Sequence, residues 1–287
     1  MSLNPANGRM TRHAAFIFGA IVVFCLSAPI AAWILAADPD RADLYHRFQA
    51  PSWAHPLGTD EAGRDLMLRL MIGGRTSLLI GLLSALTSAG IGAMIGLTAG
   101  YSGGRWDKFL MRLTDGIIAL PLLPLLIVAA AIDLTKLGLA PDWAQSPGAN
   151  FWRLVLIIAF VQWTTAARLV RASTLSELTR DYVASARTQG ASAYHVLRYH
   201  IFPAAVPALL TATTLSVGHI ILFESVLSFL GLGIMPPAAS WGNMLNAAQA
   251  LLYDAPLLGL YPGALLFVTV LAINLIGDGL RRRLGPI

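Results

Sequence analysis

The sequence predicts an all-α membrane protein with six transmembrane helices and both termini on the cytoplasmic side. Three observations carry that prediction. Only 12% of the 287 residues are charged, half of the roughly 25% found in soluble domains, while 56% are hydrophobic and the mean hydropathy is +0.66. Six stretches run without charge over lengths comparable to the about 20 residues that cross a bilayer core. Lys and Arg also divide unevenly between alternate loops, which sets the orientation.

The first stretch, Ala14–Ala37, has 24 uncharged residues behind Arg9 and Arg12. That is longer than the roughly 7–15-residue apolar core of a signal peptide, so it reads as a retained anchor. Thr76–Gly104 holds the second span and Gly116–Ile132 most of the third. Leu154–Ala167 is short and needs Trp152 and Arg153 at one end and a snorkelling Arg168 at the other. Tyr199–Phe223 and Ala255–Gly277 supply the fifth and sixth. The spans are placed at about 14–37, 77–100, 113–132, 152–170, 204–226 and 256–278. Residues 1–13 form a cytoplasmic N-terminus, and 14–287 one membrane domain.

With an even number of spans the termini share a side. That side carries 13 Lys and Arg and the other carries 7, so it is cytoplasmic. The net charge of +5 then reflects basic loops against anionic lipid rather than a nucleic-acid partner. Two segments outside the spans are substantial: an external one over 38–75 and a cytoplasmic one over 171–203. The single Cys25 excludes a disulfide scaffold.

The cytoplasmic segment is patterned. Its first half is a good helix former. Gly190 suits the left-handed residue after a helix, Ser192 suits the cap of the next, and Pro203 is expected to end that second helix and permit a turn into span five. Read from chemistry alone, the segment is either an amphipathic helix on the lipid surface or a helix that docks in a groove of a cytoplasmic partner.

This segment resembles the cytoplasmic signature of bacterial ABC-importer permeases, Glu-Ala-Ala, three residues, Gly, nine residues, Ile-x-Leu-Pro. Ala184-Ser185-Ala186 stands at the triplet, Gly190 at the glycine and His200-Ile201-Phe202-Pro203 at the final group. The acid is replaced by Ala184, whereas the Gly and Pro that set the backbone are kept. Other segments resemble the dipeptide, oligopeptide and nickel subgroup. They are His55–Asp65 ahead of span two, Gly100–Asp107 after it, Leu227–Gly233 with Pro236-Pro237 and Ser240-Trp241-Gly242 after span five, and Asn274–Arg281 at the end.

The resemblance implies a type I ABC-importer permease in a bacterial inner membrane. Its partners would be a second homologous permease, two cytoplasmic ATP-binding subunits and an external or periplasmic substrate-binding protein. ATP and Mg would bind the partner ATPases, with no cofactor on this chain. The coupling loop would comprise Ala184, Ser185, Ala186, Gly190, Ala191, Ser192, His195 and Pro203. Cargo would be a dipeptide or oligopeptide, or alternatively nickel or a nickel chelate.

Catalysis on this chain is not expected. A phosphate loop needs Gly-Lys-Ser/Thr, and the two lysines, Lys108 and Lys136, follow Asp107 and Thr135. A membrane enzyme needs convergent polar groups, and His219 and Glu224 are five apart. His195 and His200 are also five apart and are expected on different helix faces, so no metal site is read. A stand-alone channel or secondary carrier would need several intramembrane charges.

Glu224 is the one deep acid, a candidate for the translocation path or for helix packing. Ser228, Gly231, Gly233 and Trp241 belong to the translocation path or an external gate, to a docking surface, or to a plain loop that Trp241 anchors at the interface. In the external motif Gly58, Thr59, Asp60, Gly63, Arg64 and Asp65 lack calcium-loop spacing. Arg64 is expected to pair with Asp60 or Asp65, Gly58 and Gly63 to serve turns, and Asp115 and Asp278 to pair with basic loop residues.

Overall fold

A computed structural model describes residues 5–34, 38, 41–144 and 146–284. The expected N-terminal residues 1–4, the end of the first span at 35–37, and residues 285–287 lie outside the described residues. Within them the chain is nearly all helix, with an isolated β-bridge between Thr59 and Asp65.

Helices α1 (Pro5–Leu26) and α2 (Ala28–Ile34) carry the first apolar stretch. They break beside Pro29, which has no N–H to give to the preceding turn. Helix α3 (Leu66–Ser102) carries the second. At 37 residues it is about 55 Å long, well beyond the ~30 Å hydrocarbon core. It starts eleven residues before the expected span because Asp65 caps it, accepting from the Leu68 N–H at 2.8 Å. Arg69 and Arg75, read as part of an external segment, therefore lie on the helix.

The third stretch is divided between α4 (Gly104–Ala119) and α5 (Leu122–Ala130), which meet at 88°. Pro121 explains the bend, since its ring and missing N–H prevent a continuous ladder. A short helix α6 (Pro141–Ala144) leads to α7 (Pro147–Leu178), which starts at a Ser146 cap with Pro147 in the first turn. Then follow α8 (Asp181–Thr188), α9 (Ala193–Val196), a π-turn over Leu197–Ile201, and α10 (Phe202–Phe229). Helix α11 (Trp241–Gln249) opens on a Ser240/Asn243 capping box, and α12 (Leu257–Leu284) closes the chain. Among the described residues five helical stretches are long and apolar enough to cross a membrane, or six if the bent α4–α5 pair counts as one span.

Helices α3 and α7 form the central pair. Gly92, Gly96 and Gly100 line one face of α3 and let α7 approach closely. A methyl at Gly96 would lie 2.5 Å from the Ala167 carbonyl oxygen, and one at Gly100 2.7 Å from the Thr174 side chain. Small residues at four-residue spacing are how membrane helices gain packing without a hydrophobic drive. One core joins Ile80, Leu126, Leu154, Ile158, Ile220 and Leu227 from α3, α5, α7 and α10. A second joins Ile21, Cys25, Leu66, Leu70, Trp241 and Leu258 from α1, α3, α11 and α12.

Candidate coupling surface and external fastening

The cytoplasmic motif folds into a helical hairpin at the far end of α3. Val183, Val196 and Ile201 are fully buried and pack with Leu97 and Tyr101 of α3 and with Leu178 of α7. The Arg187 guanidinium lies 5.0 Å from the Tyr101 ring centre, a cation–π contact between α8 and α3. Gly190 makes the turn at φ +86, the left-handed conformation that glycine adopts without penalty. Ser192 caps α9, accepting from the His195 N–H at 3.3 Å. Ala184, Ser185, Gly190, Ser192, His195 and Pro203 are exposed, with Ala186 and Ala191 half-buried. The inner face thus clamps the hairpin and the outer face is open.

Two expectations about this hairpin are corrected. Pro203 does not end a helix. The backbone runs on from α9 into α10, and the π-turn absorbs the proline, with the Phe202 N–H donating to the Leu197 carbonyl five residues back. The same turn brings His195 and His200 to one face, with ring centres 5.8 Å apart. Tyr199 and Tyr182 complete an aromatic group, at 4.8 Å from His195 and 5.8 Å from His200 respectively. The Tyr182 hydroxyl donates to Glu177, which holds its pKa above the usual tyrosine value.

Two ion pairs tie α4 to α7 beside the hairpin. Arg171 grips both oxygens of Asp107, with Nη2 2.6 Å from Oδ2, and Arg168 meets Asp115 at 2.5 Å. The expected pairing of Asp115 with a basic residue is therefore present.

At the opposite end of α3 the external motif folds around Asp60. Its Oδ1 accepts the Ala62 and Arg64 N–H groups at 2.8 and 2.9 Å, and its Oδ2 accepts Arg64 Nε at 2.8 Å. Arg64 also reaches Glu61 at 3.3 Å. Its partners are thus Asp60 and Glu61, because Asp65 is occupied in capping α3 and in a 3.0 Å contact with His55. Thr59 accepts the Gln49 N–H at 2.8 Å and donates to the His46 carbonyl. Gly58 turns at φ +80 against the Gln49 carbonyl, and Gly63 turns at φ +73 with no room for a methyl beside the Asp43 carbonyl. Asp43 caps the turn Leu44–His46, and its hydrogen bond with His46 holds its carboxyl below the usual range. Arg69 then links this motif to the segment after α10, donating to the Pro237 carbonyl at 3.3 Å.

Glu224 sits beneath that segment and is fully buried. Ser228 donates to its Oε1 at 2.7 Å, and Ser225, Ser77 and Ser240 surround the carboxyl. Ser228 Oγ also accepts the Ile234 N–H at 3.1 Å. The acid thus joins α10, α3 and the start of α11. Gly231 turns the chain after α10, and Gly233 packs directly on Ser228. Trp241 is corrected from an interfacial anchor to a core residue. It has no exposed surface, and its indole N–H donates to the Leu70 carbonyl at 3.0 Å. The sequence signals Glu224–Ser228 by their four-residue spacing, but Ser77 and Ser240 arrive from other elements and carry no local signal. Among the described residues no three His, Cys, Asp or Glu side chains gather as metal ligands do.

Known proteins are similar to this chain. Residues 92–286 match the family described as binding-protein-dependent transport system inner membrane component. A protein of Brucella suis biovar 1 (strain 1330), provisionally named a peptide permease, is 40% identical over 283 residues, covering 97% of this chain and 89% of that one. The glutathione transport system permease protein of Pectobacterium atrosepticum is 36% identical over 281 residues, covering 96% and 88%. Among solved structures, the inward-facing MetNI methionine ABC transporter superposes with a TM-score of 0.60 at 17% identity, over 77% of this chain and 98% of that one. An amino acid ABC transporter solved with histidines gives 0.54 at 19% identity, over 75% and 94%. At those identities the likeness shows the fold alone. The chain belongs to the family of binding-protein-dependent transport system inner membrane components, as a multi-pass permease subunit of a bacterial ABC importer.

Proposed function

We propose that this permease imports short peptides, driven by two cytoplasmic ATPases that engage the hairpin around Gly190. The names of its relatives, peptide permease and glutathione transport permease, favour peptides over a nickel chelate. In this reading a second homologous permease completes the translocation path, and an external binding protein delivers cargo. Both termini face the cytoplasm, following the Lys and Arg bias. ATP and Mg are bound by the partner subunits, and this chain contributes movement rather than chemistry.

The observation that carries the coupling role is the clamped hairpin. Its buried Val183, Val196 and Ile201 join α3 and α7 and lead directly into α10. A push on the exposed residues of α8 is thereby passed to three long helices as one body. Interdigitated side chains transmit such displacement because packed interiors compress little.

The test is reconstitution in proteoliposomes. The chain alone should hydrolyse no ATP. With the partner permease, ATPases and loaded binding protein, labelled di- or tripeptide should accumulate only when ATP is supplied. Accumulation without ATP, or without the ATPases, would establish a secondary carrier instead.

A further inference from the structure

A cavity lies beside the segment that follows α10. Its volume is about 620 Å³, and its lining includes Asp133, Thr135, Asn150, Arg153, Leu232 and Pro237. Pro237 is also the residue whose carbonyl receives Arg69. The cavity therefore adjoins the Asp60 fastening, at the end of the molecule away from the Gly190 hairpin. Pockets that enclose small organic ligands span roughly 300–1,000 Å³, so a short peptide fits by volume.

Two charged groups meet this space with hydrogen-bonding capacity to spare. Arg153 projects from the first turns of α7. Its Nε is buried and has no hydrogen-bond partner, and its Nη2 makes only a long 3.5 Å contact with the Leu232 carbonyl. A guanidinium carries five N–H donors in a planar fork. Buried donors are rarely left unmatched, and a carboxylate matches that fork with two parallel bonds. Asp133 uses Oδ1 for both of its contacts, from the Thr135 N–H at 2.9 Å and the Thr135 hydroxyl at 2.7 Å. Those contacts, with the charge of Lys136 adding to them, hold the carboxyl below the usual carboxylate range, and neither of them uses Oδ2.

We propose that Arg153 and Asp133 form a reception site for zwitterionic short peptides, with Arg153 taking the carboxylate end and Asp133 the ammonium end. The site accepts cargo released on the external side before it enters the path between the permeases. This proposal rests on the peptide-import reading above and adds to it the chemical class that the permease itself recognises. A cavity with one cation and one anion suits a molecule with both charges at its ends. A lone phosphate or a lipid headgroup of net negative charge would be repelled by Asp133.

The experiment uses the assembled importer in proteoliposomes with binding protein loaded with an unblocked tripeptide. Peptide accumulated per ATP hydrolysed is measured for the wild type and for Arg153→Gln, Arg153→Lys and Asp133→Asn. The ratio should fall about tenfold or more in Arg153→Gln, the expected scale for losing a charge-assisted pair. It should fall severalfold in Asp133→Asn and recover only in part in Arg153→Lys, which keeps the charge but not the two parallel bonds. An unchanged ratio in Arg153→Gln overturns the proposal. So does a fall in uptake and ATP hydrolysis by equal factors, because that indicates a role in folding alone. If the wild-type importer accumulates no peptide while hydrolysing ATP in response to its binding protein, the peptide reading itself fails.

Discussion

Ser228 donates a 2.7 Å hydrogen bond to Glu224, one helical turn before it, and its own oxygen accepts the Ile234 amide at 3.1 Å. The carboxyl is thus the link between α10 and the segment leading to α11, enclosed by Ser77, Ser225 and Ser240 as well. Replacing it with Ala strands several buried hydroxyls, each costing about 1–3 kcal/mol when it finds no other partner. Glu224→Ala should lower stability by about 3 kcal/mol, whereas Glu224→Gln keeps an acceptor and should lose less. Thermal unfolding of the purified complex reads both. A Glu224→Ala complex of full stability but altered cargo preference would place the acid on the path instead.

Gly190 should be limited by its backbone rather than by space, since a methyl there meets nothing within 4 Å. At φ +86 a β-branched side chain is strained by about 1–2 kcal/mol, while Asn tolerates the left-handed region. Gly190→Val should therefore reduce peptide accumulated per ATP several-fold, and Gly190→Asn should stay near wild type. Equal transport by the Val variant would argue against coupling through this turn.

Gly96 should be limited by space. A methyl 2.5 Å from the Ala167 carbonyl oxygen forces α3 and α7 apart, and overpacking of this kind costs about 1–3 kcal/mol. Gly90, on the same helix, meets nothing within 4 Å. Gly90→Ala should be neutral or stabilising by up to about 1 kcal/mol, so of the two variants only Gly96→Ala should lower the unfolding temperature.

The two α4–α7 ion pairs should differ in strength. Asp107 and Arg171 are mostly buried, with side-chain exposures of 15% and 29%, and bond through both oxygens. Asp115 and Arg168 are 61% and 49% exposed. Double-mutant cycles on stability should give a coupling of about 1.5–3 kcal/mol for the first pair and below about 1 kcal/mol for the second.

Much was legible before the fold was known. Apolar stretches fall on the five described helices long enough to cross a bilayer, because in lipid a span must satisfy its own backbone hydrogen bonds, but they did not foretell the 88° break within the third stretch. Gly190 and Ser192 were readable because caps and left-handed turns are local. The motifs from His55 to Asp65 and from Ala184 to Pro203 marked the two ends of the molecule where polar chemistry collects.

What the sequence alone determined is therefore the class, the order of spans and the charge bias that orients them. The tertiary structure decided how residues distant in sequence meet. Ser77 and Ser240 reach Glu224 only because α3, α10 and α11 pack together, and Trp241 leaves the interface because Leu70 offers its indole a buried acceptor. Even a local question, the facing of His195 and His200, turned on one backbone choice. Pro203 cannot donate a hydrogen bond, the helix widens to a π-turn around it, and two rings five residues apart come onto one face.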